Sequence, residues 1–168
     1  MSSVELMAAA KFDESDLIIN RQGYLSEKQQ VKLRRDQLKF MLFAGILVAG
    51  CLWGFLSLGI DISAGQPSTG KIAGLAVLAT VALIFIVYAR EKWRYLSQDL
   101  AKDVVASVSG KASLRLIPEG RNLTYRLKVN DVKLDTSWKI YRCIERGKLY
   151  RIYYTPKSRQ ILSIERLH

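Results

Sequence analysis

The sequence predicts a membrane α+β protein that consists of a two-helix transmembrane hairpin and a small C-terminal β-barrel of the SH3-like or OB-like kind. Two runs without any charged residue, 40–60 and 72–89, are long and apolar enough for membrane-spanning helices. Beyond residue 103 the pattern changes to short stretches in which apolar and polar residues alternate, which is typical of half-buried strands. About five such strands and one short helix fit the size of a small closed barrel.

The composition excludes several other classes. The chain has 168 residues, of which 49% are apolar, and its 26 Lys and Arg against 15 Asp and Glu leave a formal charge of +11. This apolar content argues against a disordered chain, and two cysteines far apart in the sequence argue against a disulfide scaffold. The first apolar run begins at residue 40, behind a stretch of mixed charge, so we do not expect it to be a signal peptide.

The two apolar runs predict transmembrane helices at 40–60 and 72–89. They contain 21 and 18 residues, and a bilayer core about 30 Å thick needs roughly 20 residues of helix. Residues 61–71 between them contain Gly, Pro and Ser, as in a short extracytoplasmic loop, so we expect the helices to form an antiparallel hairpin. The small residues expected to allow close packing of the two helices are Gly50, Gly54 and Gly74.

Basic residues flank the two runs on the side away from the loop. Because Lys and Arg collect on the cytoplasmic side of membrane helices, we expect a two-pass protein with both termini in the cytoplasm. Neither run contains Asp, Glu, Lys, Arg or His, which argues against an ion pathway within one hairpin. The residues expected to anchor the helices at the cytoplasmic interface are Lys39, Arg90, Lys92, Trp93, Arg94 and Tyr95.

Residues 1–39 are predicted to form a cytoplasmic helix-turn-helix. A helix over 13–22 has acidic residues in its first turn, and Gly23 is suited to end it in a left-handed conformation. A second helix starts at Ser26, where Gln29 completes a capping box, and it either continues into the first span or bends before it. The apolar side chains of these helices either pack on the C-terminal domain or the lipid surface, or they bind a partner.

Two stretches of the chain resemble known bacterial sequences. The stretch Asn20-Arg-Gln-Gly-Tyr-Leu-Ser-Glu-Lys-Gln29 resembles the joint between the helices of the short bacterial domains called SHOCT, and also the juxtamembrane segment of uncharacterised two-helix bacterial membrane proteins. The first resemblance implies an oligomerisation or partner-docking element and no catalysis. Residues 147–165 resemble the ends of the same uncharacterised proteins. This resemblance implies a shared cytoplasmic β module on a protein that is integral to the bacterial inner membrane.

The C-terminal part begins with a helical extension at 90–102 and continues as the predicted barrel at 103–168. Gly110 is a position at which a strand bends, so the first β segment is either one bent strand or two short ones. Thr136 or Ser137 is expected to cap a short helix. The apolar residues that recur at every third position of this helix are Trp138, Tyr141 and Ile144.

Two hairpins are predicted within this domain, each with a defined register. A two-residue turn at 130–131 places Val129 opposite Val132. In the last hairpin, a register with Ile152 opposite Ile164 keeps the apolar residues together, whereas a slip by one residue would mix the two faces. The residues that this register assigns to one apolar face are Tyr150, Ile152, Tyr154, Leu162 and Ile164.

Groups that support catalysis are few, and we expect no enzyme, no cofactor and no metal site. The one histidine, His168, is the final residue, so one chain offers no pair of His ligands. Cys51 lies within the first span, and Cys143 is expected to be a structural cysteine. The sequence also lacks a phosphate-binding Gly loop, a Cys-x-x-Cys pair and a nucleophile elbow.

Positive charge is concentrated after the membrane segments, where residues 90–168 hold 18 Lys and Arg against 8 Asp and Glu. Basic flanks of membrane helices explain only the residues nearest the spans. The others are candidates for binding anionic lipid headgroups or an acidic protein, whereas nucleic acid ranks last because most nearby tyrosines fall on the predicted core face. These candidate residues are Arg115, Arg121, Arg126, Lys128, Lys133 and Lys139.

Three functions agree with this reading. The first is a non-enzymatic accessory or scaffold subunit of a membrane complex, whose partners are lipids and either further copies of the chain or another membrane protein. The second is a homo-oligomeric pore or channel-like assembly, which the uncharged spans disfavour. The third is recognition of anionic lipid by the basic domain.

Overall fold

The computed structural model describes residues 3–63, 69–119 and 122–167. In these residues helices accompany one antiparallel sheet, so the α+β class is confirmed. The chain divides into two compact units, which we name the sheet unit (Met1–Lys32 with Ser97–His168) and the helical unit (Leu33–Leu96). Most of the N-terminal segment 1–39 therefore belongs to the sheet unit.

Helices and strands follow one another along the described residues in this order: α1 (Ser3–Ala10), α2 (Glu14–Arg21), α3 (Glu27–Ser63), α4 (Thr69–Lys102), β1 (Ala106–Glu119), β2 (Asn122–Val129), β3 (Val132–Thr136), α5 (Trp138–Cys143), β4 (Leu149–Tyr154) and β5 (Ile161–Arg166).

In the helical unit, α3 and α4 contact each other through aromatic rings. The ring centroid of Phe40 lies 6.4 Å from that of Phe85 and 6.3 Å from that of Tyr88. Further along α3, a Cβ atom added to Gly54 would stand 3.2 Å from a methyl group of Leu78 on α4. Because later residues of α3 meet earlier residues of α4, the two helices run antiparallel.

Among the described residues, one helical segment, Glu27–Gly54 of α3, is long and apolar enough to cross a membrane by its length and composition. Helix α3 shows no break before the first apolar run, so the continuous alternative is confirmed. The predicted loop at 61–71 is shorter than expected, because residues 61–63 belong to α3 and residues 69–71 to α4. Residues 64–68 of that loop lie outside the described residues.

The five strands form an antiparallel sheet in the order β3-β2-β1-β4-β5. Its long central strand changes partner: Ala106–Lys111 pair with β4, and Ala112–Glu119 pair with β2. The β4–β5 hairpin therefore lies beside the first half of β1 and the β2–β3 hairpin beside the second half. Strands β3 and β5 are the two edges of the sheet. Within the described residues β3 and β5 do not pair, so the sheet is open and the predicted closure into an SH3-like or OB-like barrel is not found.

Gly110 lies near the point where β1 changes partner. A Cβ atom at this position would stand 2.5 Å from Oδ1 of Asn130 in the turn between β2 and β3. Asn130 has a left-handed φ of +50° and donates a hydrogen bond from Nδ2 to the Ser109 carbonyl oxygen at 2.7 Å. The glycine thus lets the turn close onto β1, which is one continuous strand and not two.

The residue pairs predicted for the two hairpins are confirmed. Val129 stands opposite Val132, and Ile152 stands opposite Ile164. The short helix α5 begins after Ser137, whose Oγ accepts a hydrogen bond from a backbone N–H of the first turn, so Ser137 is the cap.

The end of the last hairpin departs from the prediction. Tyr153 pairs with Ser163 but Tyr154 pairs with Ile161, so a bulge inserts Leu162 into β5. Continued from the predicted pair of Ile152 and Ile164, a regular register places Tyr154 opposite Leu162. That pairing is wrong by one position, because strict alternation does not predict an extra residue.

The hydrophobic core lies on one face of the sheet, beneath α1 and α5. Helix α1 was not predicted, although Leu6, Ala10 and the following Phe12 are buried in this core. Ile140 of α5 and Ile144 directly after it are buried, whereas the side chain of Trp138 is half exposed. The buried core residues of the strands are Ala112, Leu114, Leu127, Val129, Leu134, Tyr150, Ile152 and Ile164.

Helix α2 covers the opposite face of the β4–β5 hairpin. The cross-strand partners Tyr153 and Ser163 on that face are 3% and 0% exposed. Asn20 of α2 donates a hydrogen bond from Nδ2 to Ser163 Oγ at 2.8 Å. Arg21 forms an ion pair with Glu165, which raises the pKa of the guanidinium group.

Capping boxes begin both α2 and α3. The backbone N–H of Gln29 donates to Ser26 Oγ, and the backbone N–H of Ser26 donates to Gln29 Oε1, which confirms the predicted cap of α3. Asp13 and Asp16 form the corresponding box of α2. A hydrogen bond from the Lys28 ammonium group to Asp13 holds the pKa of that carboxyl well below its usual value.

The joint between α2 and α3 is bonded to the chain that follows α4. Gly23 ends α2 with the predicted left-handed conformation, at a φ of +91°. Its carbonyl oxygen accepts a hydrogen bond from the Val105 N–H at 2.8 Å, and the Leu25 N–H donates to Asp103 Oδ1 at 3.3 Å. The start of α3 and the end of α4 are thereby joined within the sheet unit.

Asp99 joins α4 to the β4–β5 turn. Its side chain is buried, and its two carboxylate oxygens accept hydrogen bonds from the backbone N–H groups of Lys157 at 2.9 Å and Ser158 at 2.7 Å. A carboxylate accepts both bonds without donating a proton in return, which suits a turn with two converging N–H groups.

We expect Asp99→Asn to lower the free energy of unfolding of the sheet unit by about 1–3 kcal/mol, because one buried N–H loses its acceptor. Urea unfolding of the full-length protein in detergent micelles measures this change. Glu91→Gln removes an exposed carboxylate from the same helix and is the matched control, expected to shift stability by less than about 0.5 kcal/mol. Equal stabilities of Asp99→Asn and the wild type would contradict the role of Asp99.

Candidate anion-binding surface

Basic side chains gather on the face of β1, β2 and β3 that is opposite to the hydrophobic core. Arg115 stands opposite Arg126, and Lys128 stands opposite Lys133. Cross-strand partners point to the same side of a sheet, and their sequence neighbours Leu114, Leu127 and Leu134 point into the core. The alternation of the strands therefore places all four cations on one outer face.

These residues line a shallow cavity of about 180 Å³, which we name the basic face; its lining residues are Arg115, Ile117, Arg126, Lys128 and Lys133. Arg126 Nε also forms an ion pair with Asp135 Oδ1 on β3, at 2.8 Å. This contact orients one guanidinium group and compensates one charge, so the face retains a positive excess.

The pairing of like charges has an energetic consequence. Two cations directly opposite each other in adjacent strands destabilise a sheet, by an amount comparable to the roughly 0.2–1 kcal/mol that an opposite-charge pair contributes. The basic face contains two such pairs, Arg115 with Arg126 and Lys128 with Lys133. A bound anion would reduce the repulsion that the Arg126–Asp135 ion pair leaves uncompensated.

The chemistry of the basic face suits carboxylates and phosphates. A guanidinium group presents N–H donors in a planar fork that matches two oxygen atoms, and an ammonium group acts as a compact charge with rotatable donors. The apolar side chain of Ile117 lies among these cations. A ligand that combines several anionic groups with some apolar surface therefore fits the face best.

Four of the six predicted binding residues come together here, namely Arg115, Arg126, Lys128 and Lys133. Lys139 is exposed on α5 and does not line this cavity. Arg121 lies outside the described residues. Ile117 was not predicted, although its position two residues after Arg115 in an alternating strand places it on the same face.

The predicted membrane-interface anchors belong to the helical unit. Lys92 lies over the rings of Phe40 and Tyr88, at 5.3 and 5.8 Å from their centroids, and Arg94 lies 5.5 Å from the centroid of Tyr95. Aromatic contacts of this kind hold a cation near apolar surface. The remaining anchors Lys39, Arg90 and Trp93 are exposed.

The three glycines predicted at the helix contact differ. Gly54 approaches Leu78 of α4 closely. A Cβ atom added to Gly50 or Gly74 would meet no described heavy atom within 4 Å, so close packing at these two positions stays a prediction.

Side chains that bind metal ions are not grouped in the described residues. That part of the chain holds no cluster of three His, Cys, Asp or Glu side chains able to bind a metal ion. Both cysteines are free thiols. Cys143 is partly buried, and its Sγ atom lies 3.9 Å from the carbonyl oxygen of Glu5.

Comparison with protein-family models finds no match, and comparisons with curated proteins and with solved structures find none either. The resemblances to SHOCT domains and to two-helix bacterial membrane proteins therefore stay predictions, and the function must be argued from the residues of this chain.

We expect Lys133→Glu to raise the free energy of unfolding by up to about 1 kcal/mol, because it replaces a like-charge pair with an ion pair to Lys128. Urea unfolding in detergent micelles is again the measurement. Lys148→Glu, an equal charge change at an exposed position away from this face, is the control and should change stability little. A loss of stability in Lys133→Glu would show that the two lysines do not repel each other.

Proposed function

We propose that this protein is a non-enzymatic accessory or scaffold subunit of a membrane complex, which holds a basic α+β domain in the cytoplasm and binds an acidic protein through the basic face. The observation that supports it is the grouping of Arg115, Arg126, Lys128 and Lys133 on one exposed side of the sheet. Such a group of cations steers an acidic partner toward the face and fixes its orientation there.

The membrane part of the proposal is a two-helix hairpin with both termini in the cytoplasm. Helix α3 contains the segment that is long and apolar enough to cross a membrane. Helix α4 runs antiparallel to it, and its apolar side chains from Val77 to Val87 are largely exposed, as in a helix that faces lipid. The basic residues at the ends of both runs support the orientation.

The non-enzymatic character is supported by the kinds of residue in the candidate site. Arg and Lys bind and orient anions, but acid–base chemistry near neutral pH usually needs His or a carboxylate with a shifted pKa. Asp135, the carboxylate next to the basic face, is ion-paired with Arg126. Binding is therefore the activity to which these side chains are best suited.

Purification from native membranes in mild detergent tests the proposal. We expect an acidic protein to co-purify with the wild type, and Lys128→Glu with Lys133→Glu to lower its recovery by about tenfold or more, because the partner then meets like charges. The matched control exchanges two exposed lysines away from the basic face, Lys11→Glu with Lys148→Glu, and should retain the partner.

Other outcomes of that purification would contradict the proposal. A monodisperse monomer without a co-purifying protein argues against a scaffold. Ring-shaped homo-oligomers that conduct ions in liposomes would support a pore instead. Loss of anionic-liposome binding in Lys128→Glu with Lys133→Glu, with no protein partner affected, would assign the basic face to lipid.

A further inference from the structure

A second surface lies on the other side of the β1–β2 hairpin, beyond the part that α5 covers. We name it the aromatic patch; it consists of Leu116, Leu123, Tyr125, Trp138 and Tyr141. Leu116 and Tyr125 are cross-strand partners, and Leu123 is two residues from Tyr125, so these side chains share the face that carries the core further along the sheet. At this end of the hairpin that face is open to solvent.

The aromatic patch exposes apolar side chains that a soluble surface usually hides. Leu116 is 49% exposed, Leu123 is 56% exposed and Trp138 is 50% exposed. Three rings pack together beside the leucines: the centroid of Tyr125 lies 5.3 Å from that of Trp138 and 5.1 Å from that of Tyr141. The cluster is therefore preformed and needs no rearrangement to bind.

Cations border the aromatic patch. The guanidinium carbon of Arg142 lies 5.6 Å from the Trp138 ring centroid, and Arg146 Nη2 donates a hydrogen bond to the Tyr141 hydroxyl at 3.4 Å. Lys139 is exposed on the same short helix. Trp and Tyr rings that lie beside aliphatic side chains and Lys or Arg are typical of protein elements at a bilayer–water interface.

We propose that the aromatic patch binds the headgroup region of an anionic bilayer, with Leu116, Leu123 and Trp138 inserted and Lys139 and Arg142 on the lipid phosphates. The cationic border complements anionic lipid. The exposed apolar area is on the order of a few hundred Å², below the roughly 800 Å² per partner of a stable protein interface. This step rests on the proposed membrane anchor, because a tethered domain has a high effective concentration near lipid and needs only weak affinity.

The inference adds a second contact to the proposed function and separates the roles of the two faces. The aromatic patch and the basic face lie on opposite sides of the β1–β2 hairpin, since their residues alternate along both strands. One side would therefore rest on lipid while the other remains available for an acidic protein.

Fluorescence of Trp138 in the full-length protein tests this inference. Trp53→Phe with Trp93→Phe leaves Trp138 as the single tryptophan of the chain. The protein is reconstituted into vesicles of phosphatidylcholine with or without phosphatidylglycerol, each containing nitroxide-labelled phospholipid. We expect strong quenching of Trp138 in the anionic vesicles and weak quenching in the neutral ones, with the difference reduced by added salt.

Two variants and one control sharpen the result. Leu116→Ser with Leu123→Ser should reduce the quenching severalfold, and Arg142→Glu should lower the ratio of bilayer-docked to undocked patch about fivefold or more. Leu149→Ser changes a leucine of similar exposure that lies on β4, outside the patch, and should behave as the wild type. Far-UV circular dichroism of each variant confirms that it has folded.

Three outcomes would overturn the inference. The first is equal quenching in neutral and anionic vesicles, and the second is quenching that Arg142→Glu leaves unchanged. The third is that nitroxide lipids do not quench Trp138 and that Trp138 is shielded from water only at high protein concentration. The last outcome would assign the patch to a second copy of the chain. An alkaline wash of the vesicles separates this failure from failure of the anchor, because a protein without spanning helices is released and one with them is retained.

Discussion

The hydrogen bond from Asn20 to Ser163, which joins residues 143 positions apart, connects the N-terminal helices to the last hairpin of the sheet. Around it, α2 covers the β4–β5 hairpin, the joint before α3 is bonded to Asp103, and Asp99 of α4 holds the β4–β5 turn. These contacts make the start of α3 and the end of α4 parts of one sheet unit. The rest of the sheet unit depends on these contacts, because they join segments that are far apart in the sequence.

The two halves of the long strand β1 lie in parts of the sheet that are covered differently. The first half of β1 pairs with β4, and this part of the sheet is covered on both faces, by the hydrophobic core and by α2. The second half pairs with β2, and there the outer face is basic while the end of the core face remains exposed. The covered and the exposed parts of the sheet are thus separated along a single strand, with the change of partner next to Gly110.

Local patterns predicted much of this fold. Ser26 and Gln29 form the expected capping box, Gly23 and Asn130 adopt left-handed conformations, and the centres of both hairpins have the predicted register. Features that depend on distant contacts were missed. Helix α1 gave no clear periodic signal, yet Leu6, Ala10 and Phe12 complete the core. The bulge at Leu162 and the open sheet likewise depend on the pairing of whole strands, which a pattern of neighbouring residues does not predict.

The sequence by itself determined the two apolar runs, the strongly basic C-terminal part, the turns and the caps, because each depends on residues a few positions apart. It also predicted the four cations that line the basic face, but it did not distinguish them from the other two candidates, Arg121 and Lys139. The predicted turn at 130–131 already placed Lys128 opposite Lys133, and only the tertiary structure decided that β1 pairs with β2 so that Arg115 faces Arg126. The reason is that charge is a property of each residue, whereas a binding surface depends on the register between strands, which packing of the core determines.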